Sequence, residues 1–189
     1  MPSQLEALRK ITRILEGNKT DYMIIGGWAL PAYGHVRSTG DLDLAIAVKW
    51  PKKLERVVSE LRTKDYQVPS NPTLKDAVIL VIDMDNKVEI ELWQRPDGIR
   101  IDENLLKRRR RLQVSDISFW VIGPEDLIVN KLSRVDRSPI DEMDVMTVLA
   151  RQKGRLDRKY LEKQAKKAGV SSLLEMLETR AEELSGDSA

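Results

Sequence analysis

The 189-residue chain has no cysteine, which excludes a disulfide framework and any cysteine-ligated metal site. No run approaches the roughly 20 apolar residues of a membrane span. The N-terminus also lacks the basic, apolar and small-residue order of a secretory signal, so the expectation is a cytoplasmic protein with no membrane partner. Neither sign of charge dominates: 32 Lys and Arg stand against 30 Asp and Glu, a net charge of +2. That balance argues against a generic polyanion binder and leaves room only for local patches. Repeats and low-complexity tracts are absent as well. There is one histidine, His35, beside Gly34 and near Arg37, and a structural role for it outweighs that of general base.

What is present is an apolar fraction of 41% in a charge-rich chain. This length supports one substantial α/β domain with a helical appendage, burying roughly 70% of the unfolded surface. The stretch around which the chain is organised runs from Gly26 to Asp43. Tyr22 to Ile25 form a strand-like apolar run that stops at Gly26 and Gly27, after which Trp28 to Tyr33 read as a short helix. Two glycines permit positive φ and close approach of a ligand, and the free amides of a helix start favour phosphate. Pro31 fits within that first turn.

Asp41 to Val48 then alternate, with Leu42, Leu44, Ile46 and Val48 on one face and both aspartates on the other. Carboxylates at i and i+2 of a strand point the same way with α-carbons about 6.6 Å apart, close enough to share a pair of metal ions. Hard oxygen ligands select Mg²⁺ or Mn²⁺, and a two-metal site polarises the attacking and leaving oxygens of phosphoryl or nucleotidyl transfer. Alone, Gly-Gly is a turn and Asp-x-Asp a solvated strand edge. Together they form a phosphate cradle joined to a metal-binding pair, and a strand with an apolar opposite face has no structural need for two uncompensated charges.

Elsewhere the chain reads as scaffold. Ser3 to Glu16 form an amphipathic helix with Ser3 and Glu6 as a capping box, and Trp50-Pro51 opens a second helix with Leu54, Val57, Val58 and Leu61 inward. The runs 77–82 and 88–93 make a hairpin, the second strand carrying Glu89 and Glu91 on its polar face. Residues 101–111 read as a helix ending in the basic run Lys107 to Arg111, a solvated helix end or a contact for RNA phosphates. Strands over 112–114 and 118–122 follow, then a helix from Pro124 through Leu132, another carrying Asp141 and Asp144, and two more over 156–168 and 171–184. The expected division is an α/β core over residues 1–123 and a C-terminal helical region over 124–189 packed on it.

The combination of Gly26, Gly27, Arg37, Thr39, Asp41 and Asp43 resembles the nucleotidyltransferases of the DNA polymerase β-like superfamily, whose signature is a Gly-Gly or Gly-Ser turn followed by Asp-x-Asp. Within it the chain is most similar to minimal enzymes and toxins of the AbiEii type. The match continues through Pro124-Glu125-Asp126-Leu127, Lys131-Leu132 and Asp141 with Asp144. The resemblance implies a mixed β-sheet flanked by helices, and a metal-dependent enzyme that transfers NMP from an NTP to an acceptor hydroxyl with release of pyrophosphate. It implies a third metal-binding carboxylate on the neighbouring strand, for which Glu89 is the best match and Glu91 a rival. Lys131 would approach the triphosphate, and Asp141 and Asp144 would lie near it or brace the lysine. Arg37 and Thr39 would contact the nucleotide, and Trp28 stands where many relatives have serine. The acceptor is a protein side chain, a tRNA end or a small molecule such as an antibiotic. The alternative is a non-catalytic nucleotide-binding or regulatory partner in a toxin-antitoxin system, with a cognate partner protein.

Overall fold

A computed structural model describes residues 4–186, with side chains to residue 183. The cap expected of Ser3 lies outside the described residues. Helix α1 (Gln4–Gly17) buries Leu8, Ile11, Ile14 and Leu15, the three-and-four spacing of one helical face. Helix α2 (Pro51–Thr63) starts on a proline whose missing amide costs nothing in the first turn, and it buries Leu54, Val57, Val58 and Leu61. The two helices touch each other.

Seven strands make one mixed sheet: β1 (Tyr22–Ile24), β2 (Leu42–Ile46), β3 (Tyr66–Gln67), β4 (Val78–Asp83), β5 (Val88–Trp93), β6 (Arg110–Val114) and β7 (Ile117–Val121). Their spatial order is β3-β4-β5-β2-β1-β7-β6. Strand β2 is therefore interior, antiparallel to β1 and parallel to β5. Both of its faces are covered, so all five of its residues are buried, including Asp43.

The β4–β5 hairpin is closed by Lys87 N donating to the Asp83 carbonyl at 2.8 Å, with Lys87 in the left-handed region at φ 56. The buried Asp83 carboxylate accepts from Asp85 N, Asn86 N and Asn86 Nδ2. Lys10 of α1 donates to Asp83 at 2.9 Å and to Asp85 at 2.7 Å, tying the turn to the first helix.

A 3-10 helix over Gly26–Tyr33 fills the gap between β1 and β2 and packs on β2. Four helices complete the chain: α4 (Pro124–Ser133), α5 (Pro139–Arg151), α6 (Arg158–Ala168) and α7 (Ser171–Gly186), with α4 and α5 both reaching the 3-10 helix. Among the described residues no helix is long and apolar enough to cross a membrane.

The basic run departs from the helix expected over 101–111. Helix α3 is only Glu103–Arg108, capped by the Asp102 carboxylate, and the chain turns at Arg109 into edge strand β6. The reason lies in partners distant in sequence. Arg108 pairs with Glu125 at 2.9 Å and stacks on the Tyr160 ring. Arg109 donates to the Tyr22 carbonyl and pairs with Asp21, while Arg111 pairs with Glu16 and bonds Ser118 Oγ. These arginines hold the sheet edge and α4 in place.

Candidate active site

Gly26 takes φ +62, and a Cβ built there would sit 1.9 Å from Asp43 Oδ2. The turn after β1 is thus pressed against the carboxylate of the strand beside it, a contact that only glycine allows. Ile25 N also donates to the Asp43 carbonyl at 2.9 Å. The second glycine does similar service: a Cβ on Gly27 would meet Thr39 Cβ and Oγ1 at 2.9 Å. Thr39 Oγ1 donates to Asp41 Oδ1 at 2.8 Å, and Gln4 at the start of α1 donates to the carbonyls of Thr39 and Gly40. Each glycine of the pair therefore abuts one partner of the Asp-x-Asp motif, Gly26 directly and Gly27 through Thr39.

Parallel pairing of β2 with β5 sets Asp43 directly opposite Glu91. Directly opposed residues share a face, so Glu91 stands beside Asp43 and is oriented by Trp93 Nε1, which donates to its Oε2 at 2.9 Å. Glu89 lies one step nearer the hairpin turn, pairs with Ile82 on β4, and is exposed. Burial, then the neighbouring Asp41 charge, then the adjacent Glu91 carboxyl raise the Asp43 pKa to about 7. Asp41, Asp43 and Glu91 form no ion pair among the described residues.

Such uncompensated carboxylates fit a divalent cation chemically. Among the described residues no three His, Cys, Asp or Glu side chains stand ready-made to hold one.

A small cleft opens between this cluster and α4, lined by Ile25, Gly26, Asp43, Trp93, Pro96, Asp97, Asn130 and Arg134. Asn130 Nδ2 donates to the Asp97 carbonyl, fixing the loop after β5 to α4. Arg134 pairs with Asp136 at 2.9 Å, and its pKa is raised by that bond and further by the nearby Asp141 and Asp43 charges. Sequence reading missed Asn130 and Arg134; their only signal was spacing from Lys131 along α4, which lacks meaning until the loop they face is known.

Lys131 itself is 2% exposed, and its ammonium bonds Asp144 at 2.7 Å and Asp141 at 3.1 Å. Asp144 also receives Arg37 Nε at 2.9 Å, Arg37 Nη2 at 3.0 Å and His35 Nε2 at 2.9 Å. Burial pushes this carboxyl up, yet the Arg37 and Lys131 bonds overcome it and hold it below the usual range. Asp141 does double work as the far partner of the Ser138 capping box. Arg37, Lys131, His35 and both aspartates therefore come together as one hydrogen-bonded cluster at the start of α5. Trp28 is partly buried against the core, its indole N–H without a hydrogen-bond partner among the described residues.

A glycine turn pressed onto Asp43 within a mixed seven-stranded sheet accords with the nucleotidyltransferase resemblance of the sequence. A family model for nucleotidyl transferases of unknown function, DUF2204, matches residues 4–178, and the chain belongs to that family. The fold recurs in the lincomycin-bound lincosamide antibiotic adenylyltransferase LnuA, with a TM-score of 0.56 and 15% identity over 77% of this chain and 96% of that one. It recurs also in the solution structure of the antibiotic-resistance factor ANT(2'')-Ia, with a TM-score of 0.55 and 19% identity over 95% and 97% of the two chains. The structure of ANT(2'')-Ia with adenylyl-2''-tobramycin gives 0.52 at 16% identity over the same shares. No protein of curated function matches the chain.

Proposed function

We propose that the protein transfers a nucleoside monophosphate from an NTP to an acceptor hydroxyl, releasing pyrophosphate. The observation that supports this best is the contact between the Gly26 turn and Asp43, both of which line one cleft. Asp41, Asp43 and Glu91 are the residues that would hold divalent cations, Mg²⁺ or Mn²⁺, whose Lewis acidity would polarise the α-phosphate and lower the pKa of the acceptor hydroxyl. Glu91 takes the third place in preference to Glu89 because it is the residue paired with Asp43.

Amides of the Gly26-Gly27 turn cradle the phosphates, and Arg134 at the rim of the cleft neutralises charge on the departing pyrophosphate. Arg37 contributes a guanidinium fork suited to phosphate, held by Asp144, and Lys131 acts through that same aspartate. The acceptor oxygen forms its bond to the α-phosphorus as the bond to the β-phosphate oxygen breaks, and the hydroxyl proton leaves to solvent or to a carboxylate.

The test is label transfer and pyrophosphate release from α-labelled NTPs with Mg²⁺ or Mn²⁺, in the presence of total tRNA and of cell lysate. Transfer that disappears in the Asp41→Ala/Asp43→Ala variant supports the reading. Tight NTP binding without release in any mixture overturns it in favour of a non-catalytic nucleotide-binding partner.

A further inference from the structure

The two aspartates of the Asp-x-Asp motif are held by different means. Asp43 sits inside β2, where the ladder to β5 and the bond from Ile25 N fix its backbone. Asp41 precedes that strand, which begins at Leu42, and ends the irregular stretch 35–41. Among the described residues no backbone–backbone hydrogen bond involves residues 36–40. The place of Asp41 therefore depends on side chains that reach this stretch from elsewhere.

Two helices supply them. Asp144 of α5 clamps the first half of the stretch, bonding His35 Nε2 and Arg37. The second half is held from α1. Gln4 Nε2 donates to the Thr39 carbonyl at 2.8 Å and to the Gly40 carbonyl at 2.9 Å, so both protons of one amide nitrogen engage the two peptide units that lead into Asp41. Gln4 opens α1, and the next turns bury Ala7, Leu8 and Ile11 completely, so this amide is carried by an element anchored in the core.

Thr39 passes the restraint on. Its hydroxyl donates to Asp41 Oδ1 at 2.8 Å, and its Cβ lies so close to Gly27 that a methyl group on that glycine would come within 2.9 Å. A carboxylate oriented through one oxygen offers the other to a cation in a fixed direction, and losing a partner behind a ligand lowers metal affinity by about 10- to 100-fold.

We propose that Gln4 is a positioning residue for the divalent-cation site, acting on Asp41 through Thr39. This role rests on the cation-binding Asp41 of the nucleotidyl transfer proposed above. Gln4 fixes the peptide units of Thr39 and Gly40, those units aim the Thr39 hydroxyl, and the hydroxyl turns the carboxylate.

Binding of Mn²⁺ alone to the full chain, followed by electron paramagnetic resonance without NTP, tests this. Gln4→Met keeps side-chain length and helix preference, removes both donors, and is expected to weaken Mn²⁺ binding about 10-fold. Thr39→Val keeps the shape without the hydroxyl and is expected to weaken it about as much. Because the two act in series, the double variant should also lie about 10-fold below wild type. Arg9→Met breaks the bond of the same helix to Asp116 and should leave Mn²⁺ affinity within about twofold of wild type. A Gln4→Met protein within about twofold of wild type, losses that multiply to about 100-fold in the double variant, or an equal loss in Arg9→Met would each overturn the role of Gln4 and leave nucleotidyl transfer standing. A wild-type chain that binds no Mn²⁺ overturns the cation site itself, and the role of Gln4 with it.

Discussion

Replacing Gly26 by alanine places a methyl group 1.9 Å from Asp43 Oδ2 and 2.7 Å from its Cγ. Ordinary contacts exceed 3 Å, so the carboxylate must retreat by about 1 Å, and a misplacement of that size at a reacting centre costs on the order of 10²-fold in rate. The backbone at φ +62 adds a left-handed penalty of about 1–2 kcal/mol for any residue with a Cβ. In a chain of this size each kcal/mol moves the melting temperature by about 2–4 °C, so the variant should melt about 2–8 °C lower while remaining folded. Gly40→Ala is the control, because a Cβ there meets nothing within 4 Å. Calorimetry with pyrophosphate release on both variants reads the two effects separately. A Gly26→Ala protein with activity within twofold of wild type would refute the idea that this turn positions Asp43.

Glu91→Gln should lower NMP transfer by about 10²-fold, the scale of losing one preorganised charged group, and Glu89→Gln should change it less than twofold; the reverse order restores Glu89 as third carboxylate. Lys131→Met leaves Asp141 and Asp144 buried without their shared cation and should cost about 3–5 kcal/mol in urea unfolding; a loss under 1 kcal/mol would show that Arg37 and His35 suffice. Burial above all raises the Asp126 pKa to about 6 from 3.8. The folded state therefore holds this proton longer than the unfolded chain, and the contribution of Asp126 to wild-type stability should fall as pH rises from about 4 to about 6. Asp126→Asn removes that loss, so its stability relative to wild type should improve by up to about 3 kcal/mol between pH 4 and pH 7; a pH-independent difference would refute it.

Much of the scaffold could be read in advance because periodicity reports local geometry. The faces of α1 and α2 and the hairpin follow from spacing alone, whereas strand β2 starts at Leu42 and leaves Asp41 in the loop before it. The choice between Glu89 and Glu91 does not, since alternation assigns a face while the partner strand assigns the level along it. The arginines 108 to 111 misled for a related reason. Four like residues carry no periodicity, and their partners, Glu125, Asp21 and Glu16, lie far off in sequence. The cluster on Asp144 gathers residues 35, 37 and 131, a convergence invisible to any local window.

The hairpin turn at Asp83 acts as a ruler for chemistry performed at a distance. Its geometry sets the register of β5 on β4, and β5 in turn pairs with β2, where a slip of one residue would trade Glu91 for an isoleucine or a leucine opposite Asp43. Lys10, which clamps that turn from the first helix, anchors the hairpin whose second strand sets Glu91 opposite Asp43. Natural drift in this protein should accordingly admit new residues freely in the loop at 68–77, while in the turn and β5 it should tolerate exchanges but neither gain nor lose a single position.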